Sequence, residues 1–258
     1  MKFSIITVCY NAAATIDHTL RSVAAQNHGD IEHVVVDGGS TDDTLRIVAN
    51  YPHVARLVSG PDAGIFDAMN KGLALATGDA IGFLNADDFF CRRDAVAVLD
   101  EALSSGRTDA VCASVAVVDR HDIGHVRRQY SVKRYRPWML RFGHMPPHPA
   151  FYIRRPAFDR IGTFNTVFHL AGDFDIAVRL LLKIRGSLTI VPDTLVGFRN
   201  GGASTEQLSS SVRINEEIRV SLAAAGFPTS RVKLYSRYLL KSFQLLTRDR
   251  RYRAPDFF

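Results

Sequence analysis

The sequence predicts an α/β fold built around a mostly parallel sheet, and three observations carry that prediction. Short apolar runs that end in polar residues recur through residues 1–118, as expected of strands buried on both faces. Between them lie segments with apolar residues three and four apart, the spacing of helices packed on one side. The composition, 47% hydrophobic and 22% charged over 258 residues, supports a sizeable core and excludes disordered and fibrous classes.

Lys2 to Cys9 is the first apolar run and reads as a strand, followed by helical spacing from Thr15 to Gln26. Ile31 to Asp37 is the second strand. Ser40 and Asp43 after it resemble a capping box opening a helix that runs to about Asn50. Val54 to Ser59 is the third strand, Asp67 to Ala76 the third helix, and Ala80 to Leu84 the fourth strand. Asp94 to Leu103 is helical and Asp109 to Val118 extended. Beyond residue 119 the alternation weakens. Asp122-Ile123-Gly124 marks a hairpin turn, Ala150 to Ile153 a short strand, and Ala171 to Leu182 a helix with acidic residues at its start. Leu188 to Val191 and Leu195 to Arg199 are two more short strands, and two helices close the chain. The organisation expected is one domain over residues 1–229, with a nucleotide-binding half to 118 and an acceptor-side half after it, then a helical segment over 230–258.

No run of 18 apolar residues occurs, which excludes a spanning helix. The N-terminal apolar stretch is too short for a secretory signal, so a cytoplasmic location is expected. Three cysteines, far apart, support neither a disulfide framework nor a zinc site. The net charge of +6 has a local origin: Arg231 to Phe258 holds eight basic and two acidic residues, leaving 24 of each sign elsewhere. A chain basic only in its tail is not expected to bind nucleic acid. Within the tail, Val232, Tyr235, Leu239, Phe243 and Leu246 form one apolar stripe at helical spacing. That stripe either packs on the domain, with the charges solvated, or lies on an anionic membrane surface.

Ligands of open parallel sheets bind beyond the carboxyl ends of the strands. Four strand ends here carry polar groups: Tyr10-Asn11, Asp37, Asp62 and Asp87-Asp88. The first turn, Cys9 to Ala14, contains no glycine, so the dinucleotide cradle is missing. Asn85-Ala86-Asp87-Asp88 places two carboxylates after an apolar strand. Either they cap the following turn, or their hard oxygens hold Mg²⁺ or Mn²⁺ against a diphosphate. Asp173 and Asp175 admit two readings as well: charges favoured at a helix start, or a general base on a rigid helix terminus.

Phe3 to Asn11 (FSIITVCYN), Val36 to Thr44 (VDGGSTDDT) and Asn85 to Asp88 (NADD) resemble, in that order, the motifs of family 2 glycosyltransferases. Pro61 to Gly72 (PDAGIFDAMNKG), His148 to Arg155 (HPAFYIRR), Gly172 to Asp175 (GDFD) and Gly201 to Ser204 (GGAS) extend the likeness to bacterial colanic-acid and exopolysaccharide-type enzymes. The resemblance implies a GT-A fold. It implies a metal-dependent, inverting transfer of sugar from a nucleoside diphosphate, with UDP-sugars favoured, to a glycan or lipid-linked acceptor. By motif position, Thr7, Tyr10, Asn11, Asp37, Asp62, Asn70, Lys71, Asn85 and Asp87 would bind the nucleotide sugar. Asp87 and Asp88 would hold Mg²⁺ or Mn²⁺, and Asp173 would be the base. His148 and Asp175 would face acceptor or phosphate, and Gly201, Gly202 and Ser204 would form a loop over substrate. Asn85 departs from the family's D-x-D motif, and Ala68-Met69-Asn70 from its Ala-Arg-Asn. The rival readings are a nucleotidyltransferase, whose Gly-rich basic loop is missing, and a non-catalytic nucleotide-sugar binding protein.

Overall fold

The computed structural model describes residues 1–106, 108–201, 208–244, 252 and 254–258. Gly202 and Ser204 of the expected loop, and Leu246, Arg248, Arg250, Arg251 and Arg253 of the tail, lie outside the described residues, as do the side chains of Leu239 and Phe243.

The N-terminal half follows the predicted alternation. Strand β1 (Phe3–Cys9) leads to helix α1 (Ile16–Ala24), β2 (Ile31–Asp37), α2 (Thr44–Val48), β3 (Val54–Ser59), α3 (Ile65–Leu75) and β4 (Ala80–Phe83). β3, β2, β1 and β4 lie side by side and parallel, with Cys9 level with Asp37, and Asp37 level with Ser59. The strand ends named above therefore reach the same edge of the sheet. Alternation along β1 divides the core between the two faces. Ile6 and Val8 pack with Phe66 and Met69 of α3, whereas Phe3 and Ile5 face the opposite cluster with Val23 of α1. β3, at the sheet edge, is mostly exposed.

A two-residue strand, β5 (Phe89–Phe90), precedes α4 (Ala95–Gly106), β6 (Ala110–Val118) and β7 (Val126–Tyr130). The chain then runs through a 3-10 turn at Pro137–Phe142 and another at His148–Ala150 into β8 (Phe151–Arg154), α5 (Arg155–Ile161) and α6 (Gly172–Val178). β9 (Leu188–Arg199), α7 (Leu208–Ala224) and α8 (Arg231–Gln244) complete it. Here the sheet becomes mixed. β8 is antiparallel to both β4 and β6, β9 runs parallel to β6, and β6 and β7 form the predicted hairpin.

Several expectations are corrected. The two strands at Leu188–Val191 and Leu195–Arg199 are one strand, whose register against β6 jumps between Val191 and Thr194. Pro192 has no N–H for the ladder, and its carbonyl accepts the Ser114 hydroxyl at 2.9 Å instead. Ser40 and Asp43 make no capping box: the Ser40 hydroxyl binds Asp37, and Asp42 accepts the first amide of α2, from Thr44, at 3.0 Å. The helix begun at Gly172 widens to a π turn over Arg179–Lys183. Arg154 and Arg155, which end the HPAFYIRR motif, donate to the carbonyls of Thr108 and Leu103 and of Gly78 and Ala76, tying the end of β8 to neighbouring segments. Among the described side chains of α8, the buried ones are not those of the expected stripe. Leu234 and Arg237 are buried, with Arg237 bonded to the Gly143 carbonyl and to Asn215, while Val232 and Tyr235 point outward. Phe258 returns to the sheet, its ring 5.2 Å from Phe89 and 4.6 Å from His18.

Candidate functional site

The polar end of β1–β2–β3 forms a small cradle. Asp37 is 1% exposed, and its carboxylate accepts the amides of Gly39 and Ser40 at 3.0 Å each and the Ser59 hydroxyl at 2.7 Å. Burial pushes the Asp37 carboxyl up, but the Ser40 and Ser59 hydroxyls with the two amides outweigh it and leave the group below its usual range. An anion so satisfied fixes the Gly38–Ser40 turn. Ser40 in turn accepts the Asn11 amide at 2.8 Å, and Asn11, at φ 48°, accepts the Thr41 amide at 2.9 Å. Around Gly38 the space is tight: a Cβ there would stand 2.5 Å from Asp62 Oδ2 and 3.5 Å from a Tyr10 ring carbon. Tyr10, Asp62 and the Gly38 backbone thus converge, and Tyr10 is 64% exposed to whatever occupies the cradle.

The second group lies past β4. Asp87 and Asp88 follow a turn closed by the Asp88 amide on the Asn85 carbonyl at 3.0 Å. Asp88 is fully buried and faces inward, its Oδ1 accepting the Arg199 amide at 3.4 Å. Burial and the adjacent Asp87 charge push the Asp88 carboxyl well up. Asp87 is only half-buried. Burial raises its carboxyl too, opposed by its own amide and by the charges of Arg199, His148 and Arg120. The Arg199 guanidinium, at the end of β9, donates to the Asp87 and Arg120 carbonyls at 2.9 and 3.0 Å and contacts His18 Nδ1. Two enclosed oxygens here, Asn85 Oδ1 and Asp88 Oδ2, have no hydrogen-bond partner.

The third group carries Asp173, in the first turn of α6. Its Oδ1 accepts the Phe174 amide at 2.7 Å. Burial raises the Asp173 carboxyl, the His148 charge and the Phe174 amide lower it, and Glu217 raises it. His148 lies within electrostatic reach of both the second and third groups, the charges of Asp173 and Asp87 acting on its ring. Burial lowers the imidazole against those two carboxylates, and its Nε2 is enclosed without a partner. Contact between the cradle side and α6 is direct, because a Cβ on Gly172 would stand 2.8 Å from three ring atoms of Phe66 at the start of α3.

Some sequence-predicted positions do not reach this surface. Thr7 is 0% exposed, and its hydroxyl bridges the Leu84 carbonyl and His33, so it cannot touch a ligand. Both ends of the Asn70 amide are engaged by Phe164, at 2.8 and 2.9 Å, which ties α3 to the loop after α5. Lys71, by contrast, ends beside the cradle, its ammonium donating to the Pro61 carbonyl and pairing with Asp67. Asp175 points into the domain, bonded to Arg179 at 2.8 Å and to the Ser221 hydroxyl at 2.7 Å. Two residues were missed. Arg199 had a weak signal, a strand-end arginine just before Gly201-Gly202. Glu217, on α7, had none, because its partners are backbone amides of residues 169–171.

The residues present suit a hard divalent ion in part. Oxygen donors are at hand in Asp87 and the orphaned Asn85 Oδ1. No group of three His, Cys, Asp or Glu capable of holding a metal occurs among the described residues, so an ion at Asp87 would complete its shell from ligand phosphate or water.

Comparison with known proteins bears on the family and the fold. The sequence model of the family described as "Glycosyl transferase family 2" matches residues 4–162. The PGL/p-HBAD biosynthesis glycosyltransferase of Mycobacterium bovis BCG is 35% identical over 182 residues, 69% of this chain and 68% of that protein. The uncharacterized glycosyltransferase Rv1514c of Mycobacterium tuberculosis H37Rv is 33% identical over 183 residues, with the same coverage. Among solved structures, Staphylococcus aureus TarS in complex with UDP-GlcNAc superposes with a TM-score of 0.69 at 19% identity, over 86% of this chain and 66% of that one. The mannosyltransferase PcManGT from Pyrobaculum calidifontis, in complex with GDP-Man and Mn²⁺, gives 0.61 at 19% identity, over 95% and 80%.

Proposed function

The chain belongs to glycosyl transferase family 2, and from that premise we propose an inverting transfer of a sugar from a nucleoside diphosphate to a glycan or lipid-linked hydroxyl, with Asp173 as general base. The observation that supports the reading is that one buried imidazole, His148, feels the charges of both Asp87 and Asp173. On this reading Asp87 would mark the diphosphate end and Asp173 the base end of one site. The cradle of Tyr10, Asp62 and Gly38 would take the nucleoside, with Asp37 shaping the turn beneath it. UDP-sugars are the favoured donors, given the UDP-GlcNAc bound by TarS, with GDP-sugars the next choice given the GDP-Man bound by PcManGT.

Asp87 would hold a divalent ion together with the donor phosphates. Such an ion, when bound, offsets the charge of the departing nucleoside diphosphate. Asp88, turned inward beside Arg199, would orient the turn rather than take the ion's first contact. Asp173 would accept the proton of the acceptor hydroxyl as that oxygen attacks the anomeric carbon. Its burial and raised carboxyl make it a stronger base than an exposed aspartate once ionised. His148, with Nε2 enclosed and aimed at neither carboxylate by a hydrogen bond, would meet phosphate or acceptor.

A panel of UDP-, GDP- and dTDP-sugars, assayed for nucleoside diphosphate release with Mg²⁺ or Mn²⁺, tests this directly. Turnover of at least one donor supports the reading. Donor binding by calorimetry without turnover of any would favour the non-catalytic alternative.

No helix among the described residues is long and apolar enough to cross a membrane. Peripheral contact is a proposal supported by the surface around α8. Val232 is 82% and Trp138 58% exposed, and Lys133, Arg134, Arg136, Arg141 and Lys233 are exposed nearby. Apolar side chains among cations suit an anionic interface. Trp138 is the chain's single tryptophan, so a blue shift of its fluorescence with anionic but not neutral vesicles, reversed by salt, would report the contact. No shift with either would refute it.

A further inference from the structure

The loop that delivers Asp173 is held from outside its own helix. Three consecutive amides, of His169, Leu170 and Ala171, point at one carboxylate oxygen, Glu217 Oε2, at 3.1, 2.8 and 2.9 Å. Glu217 Oε1 accepts the His169 amide as well, at 3.1 Å. Ala171 is the residue before α6, and none of its own side chain caps the helix. Only the Ala171 amide, at the cap position, belongs to the set a helix leaves without an intrahelical acceptor; the other two are loop amides, and the carboxylate satisfies all three close to the positive end of the helix dipole. In this fold the carboxylate comes from another helix, 46 to 48 residues downstream.

α7 is built to present it. Ile218 and Leu222 are buried and Ile214 packs beside them, a stripe that seats α7 on the core. Glu217 and Ser221, four residues apart, share the flank facing α6. Ser221 donates to Asp175 Oδ1 at 2.7 Å, so α7 grips both the entry and the first turn of α6. Glu217 is itself steadied by Arg213 at 3.5 Å. The two contacts bracket Asp173.

We infer that Glu217 is the positioning residue for Asp173, fixing the His169–Ala171 loop so that the Asp173 carboxylate meets the acceptor hydroxyl. The inference rests on the reading of Asp173 as the base. Glu217 makes no contact with the nucleotide cradle, so its loss should leave donor binding alone and reduce the chemical step. Misplacing a reacting group by about 1 Å lowers rates by as much as roughly 10²-fold.

The charged groups facing Asp173 are His148, from the turn before β8, and Glu217, from α7, with Arg213 behind Glu217. Removing the Glu217 charge while keeping an acceptor oxygen removes a repulsion that favours protonated Asp173. The acid limb of the rate profile then moves to lower pH, a readout separate from any loss of stability.

The test uses the whole chain and the donor that turns over fastest in the panel above. Glu217→Ala should lower kcat roughly 10- to 10²-fold, with nucleoside diphosphate affinity unchanged. Glu217→Gln should recover most of that loss and shift the acid limb downward. The double variant Asp173→Asn/Glu217→Ala should be no slower than Asp173→Asn alone, because one residue acts through the other. Losses that multiply in the double variant, or a Glu217→Ala defect confined to donor affinity, would overturn the inference while leaving the base assignment standing. Near-normal turnover of Asp173→Asn would overturn the base assignment, and this inference with it. Should Glu217→Ala not fold, Glu217→Gln decides through kcat and the pH profile together: wild-type kcat with an unshifted acid limb refutes the role.

Discussion

Replacing Gly172 by alanine should uncouple the base from the rest of the site. Gly172 is the first residue of α6, and an added Cβ would stand 2.8 Å from three atoms of the Phe66 ring. Ordinary carbon contacts need about 3.5–4.0 Å, so ring or helix must move by roughly 0.7–1.2 Å. The ring has little room: Phe66 is 6% exposed and stacks on Phe164 with centroids 5.7 Å apart and planes 12° off parallel. The start of α6 therefore moves instead, and Asp173 is the next residue. Overpacking of this kind costs about 1–3 kcal/mol of stability. A shift of this size at the base should cost kcat roughly 10- to 10²-fold. Thermal melts, calorimetric binding of the nucleoside diphosphate and donor turnover separate the two effects. We expect a lower Tm, nearly unchanged binding and a large fall in kcat, with partial rescue by Phe66→Leu in the same chain. Wild-type kcat in Gly172→Ala, or a loss that Phe66→Leu deepens, would refute the reasoning.

Three further outcomes follow from the same geometry. Asp87→Ala should weaken nucleoside diphosphate binding in the presence of Mn²⁺ and have little effect on binding in EDTA, whereas full wild-type turnover in excess EDTA would contradict a role for the ion. The rate should fall on acidification at a pH above that of an ordinary aspartate, because burial raises the Asp173 carboxyl and only its ionised form accepts a proton; an acid limb at the usual aspartate range would show that another group is the base. Glu32 is 5% exposed, and although burial works against it, the hydroxyl of Ser4, the amide and hydroxyl of Thr77 and the Lys2 ammonium lower its carboxyl from 4.5 to about 2. A lowered folded pKa stabilises above the unfolded value and is lost as pH falls through the folded one, so Glu32 should contribute about 3 kcal/mol at neutral pH, fading between roughly pH 4.5 and 2. Glu32→Gln should abolish that part of the acid dependence in urea titrations; an unchanged pH dependence would contradict it.

The parallel half of the fold was legible in the sequence because each strand is short, apolar and closed by a polar stop. β2 and β3 have the expected bounds, Ile31–Asp37 and Val54–Ser59. What escaped was set by tertiary contact rather than local pattern. β5 is two residues long and exists only through pairing with Val196 and Gly197. α5 announces itself only by Pro156 in its first turn. The second half of β9 looked like a separate strand because Pro192 interrupts the ladder without ending it. Within the candidate site, motif order located the cradle, the Asp87 turn and Asp173. It could not tell a ligand-facing polar group from one spent inside the fold, and Thr7, Asn70 and Asp175 are of the second kind. Each also meets a partner 46 to 94 residues away, which no local spacing reveals; only the pairing of Asp175 with Arg179, one turn on, follows the helical repeat. Glu217 is the converse case, a residue in no motif whose partners are backbone amides.

The central claim is that Asp173 is the base of a glycosyl transfer. Turnover of the preferred donor by Asp173→Asn, measured beside its affinity for the nucleoside diphosphate, tests it most directly. The account predicts affinity within about twofold of the unsubstituted chain and turnover lower by roughly 10²- to 10⁴-fold, the usual worth of a positioned base. Near-normal turnover, with affinity unchanged, would contradict it and reduce Asp173 to an acidic residue that stabilises the start of its helix.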